Sequence, residues 1–214
     1  MKRDCHPELL DRLEPDHPDA VHNRRDLRII NALMRSAPWF RSTLRAHVRT
    51  GERALELGAG TGELAMGLNA IGIPVDGLDL WPRPAGWPRG RQWHQGDLRS
   101  FGGYASYPVV IGNLIFHQFE DGELGALGAR LRLSARVILA CEPERRRLSQ
   151  VVFGLAGPLL GANHVTLHDA HVSVGAGFRS DELPRALGLA QGQWRYSCRS
   201  TALGVNLTVA VREA

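Results

Sequence analysis

The chain has 214 residues, 43% of them hydrophobic, with a formal charge of +4 and a pI near 9.4, which is enough for one well-cored domain and short for two full ones. Its basic side chains are nearly all arginine, Lys2 being the only lysine, and they are scattered along the sequence, which argues against nucleic acid as a partner. Cys5, Cys141 and Cys198 are odd in number, far apart and without metal-ligand spacing, and no stretch is apolar enough for a membrane span or a signal peptide, so free thiols in a cytoplasmic setting are expected.

Residues 1–18 are polar, and Pro7, Pro15 and Pro18 break any long helix, leaving an arm with room for a helical turn over residues 8–13. Over residues 19–37 the pattern turns helical: Leu27, Ile30, Leu33 and Met34 share one side, while Arg24, Arg25, Arg28 and Arg35 fall on the other. Pro38 is expected to close that helix, with a second short one following over residues 39–48.

An apolar, strand-like run then ends in Glu56, Leu57, Gly58, Ala59, Gly60, Thr61 and Gly62, and a helix-compatible segment begins at Glu63. Glycines at such a turn allow positive φ and close approach of a ligand to the backbone, and the helix start offers unpaired amide hydrogens and partial positive charge. The Gly58-x-Gly60-x-Gly62 spacing differs from the dinucleotide fingerprint, and Glu56 would repel a pyrophosphate but could hold an ammonium group. This stretch resembles the first motif of the class I S-adenosylmethionine (SAM) methyltransferases. The resemblance implies a domain over residues 51–214, with residues 1–50 as an arm and helical cap joined to it in one unit.

The next strand ends at Asp79 and Leu80, where a carboxylate can accept from the two hydroxyls of a ribose. The turn at Asp97 and Leu98 lies where the family hydrogen-bonds the adenine amine and packs on its ring. A plain turn aspartate remains the alternative. The apolar run over residues 107–117 reads as a fourth strand near the switch point of the sheet, and contains Asn113 and His117. Asn113 is followed by Leu114, Ile115 and Phe116, whereas enzymes acting on base amines typically have two prolines and an aromatic there, which counts against that chemistry. His117 could serve as a general base or be a packed, capping histidine.

A helix over residues 123–133 and a fifth strand over 136–142 follow, then Arg145, Arg146 and Arg147, which could bind an acidic substrate but read rather as a solvated helix start. The apolar stretch 148–160 reads as a buried helix or as part of a lid. In residues 164–173 the valines argue for an extended segment. His164, His168 and His171 lack the cysteine or well-spaced acid that would complete a metal shell, so no metal is expected. Asp26, Leu27, Arg28 and Asn31, then Asn113 to Phe119, then His168, Asp169, Ser173 and Phe178 resemble a bacterial subgroup of small-molecule methyltransferases. Gln118 departs from the second histidine of that pattern. The resemblance places His168 and Asp169 beside the acceptor, with His168 as first candidate base and His117 as second.

Ser180 is expected to cap a helix over residues 181–189, and residues 193–200 and 202–212 form two strand-like runs joined tightly enough to pair antiparallel. The expected fold is α/β: a Rossmann-like, mostly parallel seven-stranded sheet with a C-terminal antiparallel hairpin and helices on both faces. The expected activity is methyl transfer from SAM to a small aromatic or lipophilic acceptor at oxygen. Glu56, Gly58, Gly60, Gly62, Asp79, Leu80, Asp97, Leu98 and Asn113 would serve the cofactor, and His168, His117 and Asp169 the acceptor. An RNA or protein methyltransferase and a non-catalytic SAM-binding protein are the rivals, and a homodimer stays open.

Overall fold

The computed structural model describes residues 2–14, 16–159 and 161–213. Met1, Pro15, Leu160 and Ala214, which bounded or punctuated expectations above, lie outside the described residues. After the arm, which includes a 3-10 turn at Leu10–Arg12, come α1 (Pro18–Met34), α2 (Ser36–His47), β1 (Ala54–Leu57), α3 (Glu63–Ala70), β2 (Val75–Asp79) and β3 (Trp93–Gln95). Then follow β4 (Val109–Asn113), α4 (Asp121–Ser134), β5 (Val137–Pro143), α5 (Arg147–Leu159), α6 (His164–Ala176), α7 (Glu182–Ala186), β6 (Trp194–Ser200) and β7 (Val205–Arg212). The seven strands lie in the order β3-β2-β1-β4-β5-β7-β6. β1 to β5 pair in parallel, and β7 runs antiparallel to both β5 and β6.

The central strands are buried on both faces, as their near-continuous apolar runs require. Leu55, Leu57, Val110 and Ile138 pack on one face with Leu124, Leu127 and Leu131 of α4 and Leu183 of α7. Ala54, Val75, Ile111 and Leu139 pack on the other with Phe40 and Leu44 of α2 and Ala65 and Leu68 of α3. The order reverses between β1 and β4, so the turn after β1 and the loop after β4 open a crevice at the carboxyl edge, where open α/β sheets bind ligands.

Several local expectations are corrected. The break between the first two helices falls at Arg35, whose φ is 56°, and not at Pro38. Pro38 is the third residue of α2, where an amide hydrogen would have no acceptor within the helix, so proline costs little there. Residues 164–173 are helical, not extended, because Asn163 caps α6 by accepting from Thr166 N–H at 2.9 Å and the helix packs against α5 and α1, which outweighs the weak strand preference of its valines. The cap of α7 is Asp181, not Ser180. Arg145 is no part of a solvated helix start: it is buried, donates to Gly177 O at 2.5 Å and pairs with Glu182 at 2.7 Å. Among the described residues, no helix is long and apolar enough to cross a membrane, and no group of three side chains is placed to hold a metal.

Candidate active site

The turn after β1 is built by glycine. Gly58, Gly60 and Gly62 have φ of 60°, 54° and 74°, values that other residues adopt only with strain. A Cβ on Gly58 would lie 2.4 Å from Ile115 Cδ1, so this glycine also lets the loop after β4 approach the turn. Asp79, at the end of β2, accepts from Gly60 N–H at 2.7 Å and from Trp81 N–H at 2.8 Å, tying the two loops together. Glu56 is buried and accepts from Ala65 N–H in α3 at 3.1 Å. Burial pushes its carboxyl up to about 8, the Ala65 bond opposes the rise and the charge of Asp79 adds to it.

Glu56, Gly58, Gly60 and Asp79 line one end of a cavity of about 620 Å³, together with Leu80, Leu98 and Asn113, whereas Gly62 lies outside the wall, at the cap of α3 against Trp87 and Pro84. Asn113 donates from Nδ2 to Asn31 Oδ1 of α1 at 3.0 Å, and its own Oδ1 is buried without a donor. Asp97 lines the same end, but its carboxylate is gripped by Arg99 at 2.6 Å, which holds it below the usual carboxylate range, and Arg99 also reaches Glu123. The adenine amine expected at Asp97 would therefore meet oxygens that already accept several hydrogen bonds.

The other end is formed by the arm, α1, α5, α6 and the loop after β4. Leu10, Leu13, Leu27, Ile30 and Phe153 make part of it apolar. His117 is buried there between two carboxylates, with Nδ1 at 2.7 Å from Glu142 Oε2 and Nε2 at 3.3 Å from Glu8 Oε1. Burial alone disfavours charge on the ring, but the hydrogen bonds and charges of Glu142 and Glu8 outweigh it and push the imidazole up to about 9. Both ring nitrogens then donate, and His117 holds its proton at neutral pH instead of acting as a base. Glu142 also accepts from the amides of Ile115, Phe116 and His117, which fixes the loop. Glu8 is held below its ordinary value: burial works against this, but His117, Ser173 and Gln118 donate to it and prevail.

The resemblance put His168 beside the acceptor as the first candidate base. Its ring is half-exposed, lies 3.1 Å from its neighbour Asp169 Oδ1, and is not part of the cavity wall, because α6 turns that position outward. Asp169 does line the cavity, but its oxygens accept from Leu9 N–H at 2.7 Å and Leu10 N–H at 3.1 Å, so it anchors the arm. Sequence reasoning missed Glu8 and Glu142. Glu142 could have been noticed as an acid at the carboxyl end of a central strand, the same feature that singled out Asp79. Glu8 carries no such mark, since its partner His117 is 109 positions away.

No family model matches the chain, and no curated protein matches its sequence. Solved structures do. The plantazolicin methyltransferase BpumL in complex with SAH aligns over 93% of this chain and 92% of its own, with a TM-score of 0.69 and 14% identity. Magnesium protoporphyrin IX methyltransferase (ChlM) from Synechocystis PCC 6803 with bound SAH aligns over 84% and 83%, with a TM-score of 0.56 and 18% identity. A protein described under the conversion of a disulfide bond into a thioacetal group during echinomycin biosynthesis aligns over 82% of each chain, with a TM-score of 0.59 and 21% identity. Strand order, terminal hairpin and these alignments agree that the chain has the Rossmann-like α/β fold of the class I methyltransferases.

Proposed function

We propose that this protein transfers a methyl group from SAM to a small aromatic or lipophilic acceptor, at oxygen. The observation that carries this reading is the continuity of one cavity, from the glycine turn and Asp79 at one end to a chamber of mixed apolar and charged lining under the arm at the other. Cofactor and acceptor can meet within it. That the neighbours are named for plantazolicin and magnesium protoporphyrin IX favours a small acceptor over a nucleic acid.

The residues present fit the cofactor. A Cβ on Gly60 would meet nothing within 4 Å, so the turn is open. Asp79 uses two of its roughly four lone pairs on backbone amides and keeps the others for ribose hydroxyls. Leu80 and Leu98 offer apolar contact to a flat base, with Asp97 at the edge, while the unpaired Asn113 Oδ1 suits an ammonium group, whose charge would draw the proton off Glu56. SAM, when bound, supplies a methyl group already activated on a sulfonium. The chain's share is alignment, worth on the order of several kcal/mol, and disposal of the hydroxyl proton. With His117 already protonated, we assign proton disposal to Glu8, which His117, Ser173 and Gln118 hold in place; these donors also keep it a weak base, so the proton passes on to solvent.

Calorimetry of SAH tests the cofactor half. Wild type should bind it, and Asp79→Ala should weaken binding about tenfold or more, as for loss of hydrogen bonds to a charged group. Absence of binding to wild type would remove the reading.

A further inference from the structure

Among the described residues, two uncharged side-chain oxygens are buried without a donor, Asn23 Oδ1 and Asn113 Oδ1, and both residues line the cavity. Buried polar groups are otherwise paired almost without exception, so each oxygen wants a donor from outside the chain, a ligand or a water. Asn113 belongs to the cofactor end. Asn23 does not: it lies on α1 eight positions before Asn31, the residue that meets Asn113. At 1.5 Å of rise per residue, that is about 12 Å further along α1.

The orientation of the Asn23 amide follows from its neighbours. Asp26 is a buried carboxylate, and the hydroxyl of Thr166 donates to it at 2.8 Å. Asn163 Oδ1, also near that hydroxyl, is already served by Thr166 N–H at 2.9 Å. With its proton committed to Asp26, Thr166 Oγ1 can only accept from Asn23, whose Nδ2 lies 3.3 Å away. A flipped amide would set two acceptors competing for one proton. The carbonyl oxygen of Asn23 is therefore the atom left over, in a wall shared with Leu27, Ile30 and Phe153.

We propose that Asn23 Oδ1 is a recognition point for the far end of the acceptor, taking a hydrogen bond from a neutral N–H or O–H on an aromatic ring or amide. Calling the ligand an acceptor rests on the methyltransferase reading; the subsite itself does not. The oxygen carries no formal charge, and Arg24 and Arg28 line the same cavity, so a neutral donor suits it better than an ammonium. Asn23 lies about 12 Å along α1 from Asn31 at the cofactor end, so an acceptor that reaches it is a multi-ring or dipeptide-sized molecule.

Indole and indene share a shape and differ in one N–H, so they serve as probes. Their dissociation constants are measured by saturation-transfer titration on the full chain, with and without SAH. Wild type should bind indole at least about tenfold more tightly than indene. Asn23→Leu, shown to be folded by a cooperative melting transition, should bind both alike. If Asn23→Leu does not fold, Asn23→Ala takes its place. The proposal is overturned if wild type binds the two probes equally or binds neither, or if the preference survives in both the Leu and the Ala variants. If indole is preferred but SAH does not bind, the methyltransferase reading falls and the subsite stands.

Discussion

Glu56 and His117 are both buried and both protonated at neutral pH, for opposite reasons. Glu56 has no cationic partner, so desolvation keeps its proton on, up to about 8. His117 would lose its proton through desolvation alone, but two carboxylates retain it, up to about 9. In each case the folded pKa lies above the unfolded one, so the folded state binds the extra proton and stability falls as pH rises. For Glu56 the fall spans about pH 4.5 to 8, and by pH 8 it is on the order of a few kcal/mol. Glu56→Gln, which stays neutral, should flatten the melting temperature across that window and weaken SAH binding. An unchanged pH slope would contradict the assignment. His117 contributes fully below about pH 6.5, and its contribution is lost as pH rises through about 9. Chemical denaturation of His117→Gln at pH 6 and at pH 9.5 should show a deficit that shrinks at the higher pH. At the lower pH, removing the charge between two buried carboxylates should cost about 3–5 kcal/mol. Glu56 was legible in the sequence from its distance to the first glycine, whereas the state of His117 was not. Its charge depends on Glu8 and Glu142, 109 and 25 positions away, and no local pattern records such contacts.

The element that completes the cavity is the arm, and it is held mainly by polar contacts. The Arg3 guanidinium lies over the Phe178 ring at 4.7 Å and donates to Ala176 O at 2.9 Å and to Phe119 O at 2.5 Å. Asp169 takes the amides of Leu9 and Leu10, and Glu8 reaches His117 and Ser173. Loss of one charged acceptor should loosen the segment locally while the sheet stays intact. Asp169→Asn should speed amide exchange at Leu9 and Leu10, with a local loss of roughly 1–2 kcal/mol. Exchange equal to wild type would show that the arm does not depend on this anchor. Elements with a strong local signature were readable in advance: β1 with its glycine turn, α3, β5, although it runs on through Pro143 instead of stopping before it, and the terminal pair of strands. α6 was not, because Val165, Val172 and Val174 weigh locally toward a strand, while the cap at Asn163 and the packing against α5 decide for a helix. The helix changes the chemistry, since the rotation between adjacent positions turns Asp169 into the cavity and leaves His168 outside.

At the scale of the whole molecule, the parallel strands bring the glycine turn, Asp79 and Asn113 to one edge of the sheet, and residues from the arm, α1 and α6 close the space above them. The first part follows from strand order and was foreseeable from motif spacing. The second joins segments more than a hundred positions apart, so its residues emerge only from the packed structure. The account joins both parts in one reaction, methyl transfer from SAM to a small acceptor. The most direct measurement is to incubate the protein with methyl-labelled SAM and a small-molecule extract of cells lacking it, then to follow the label by chromatography and mass spectrometry. The expected result is a labelled low-molecular-weight product heavier by one CH2 than its precursor, formed by wild type and by His168→Ala but greatly reduced with Glu8→Gln. Intact SAM and no labelled product, from a protein that binds no SAH, would contradict the account.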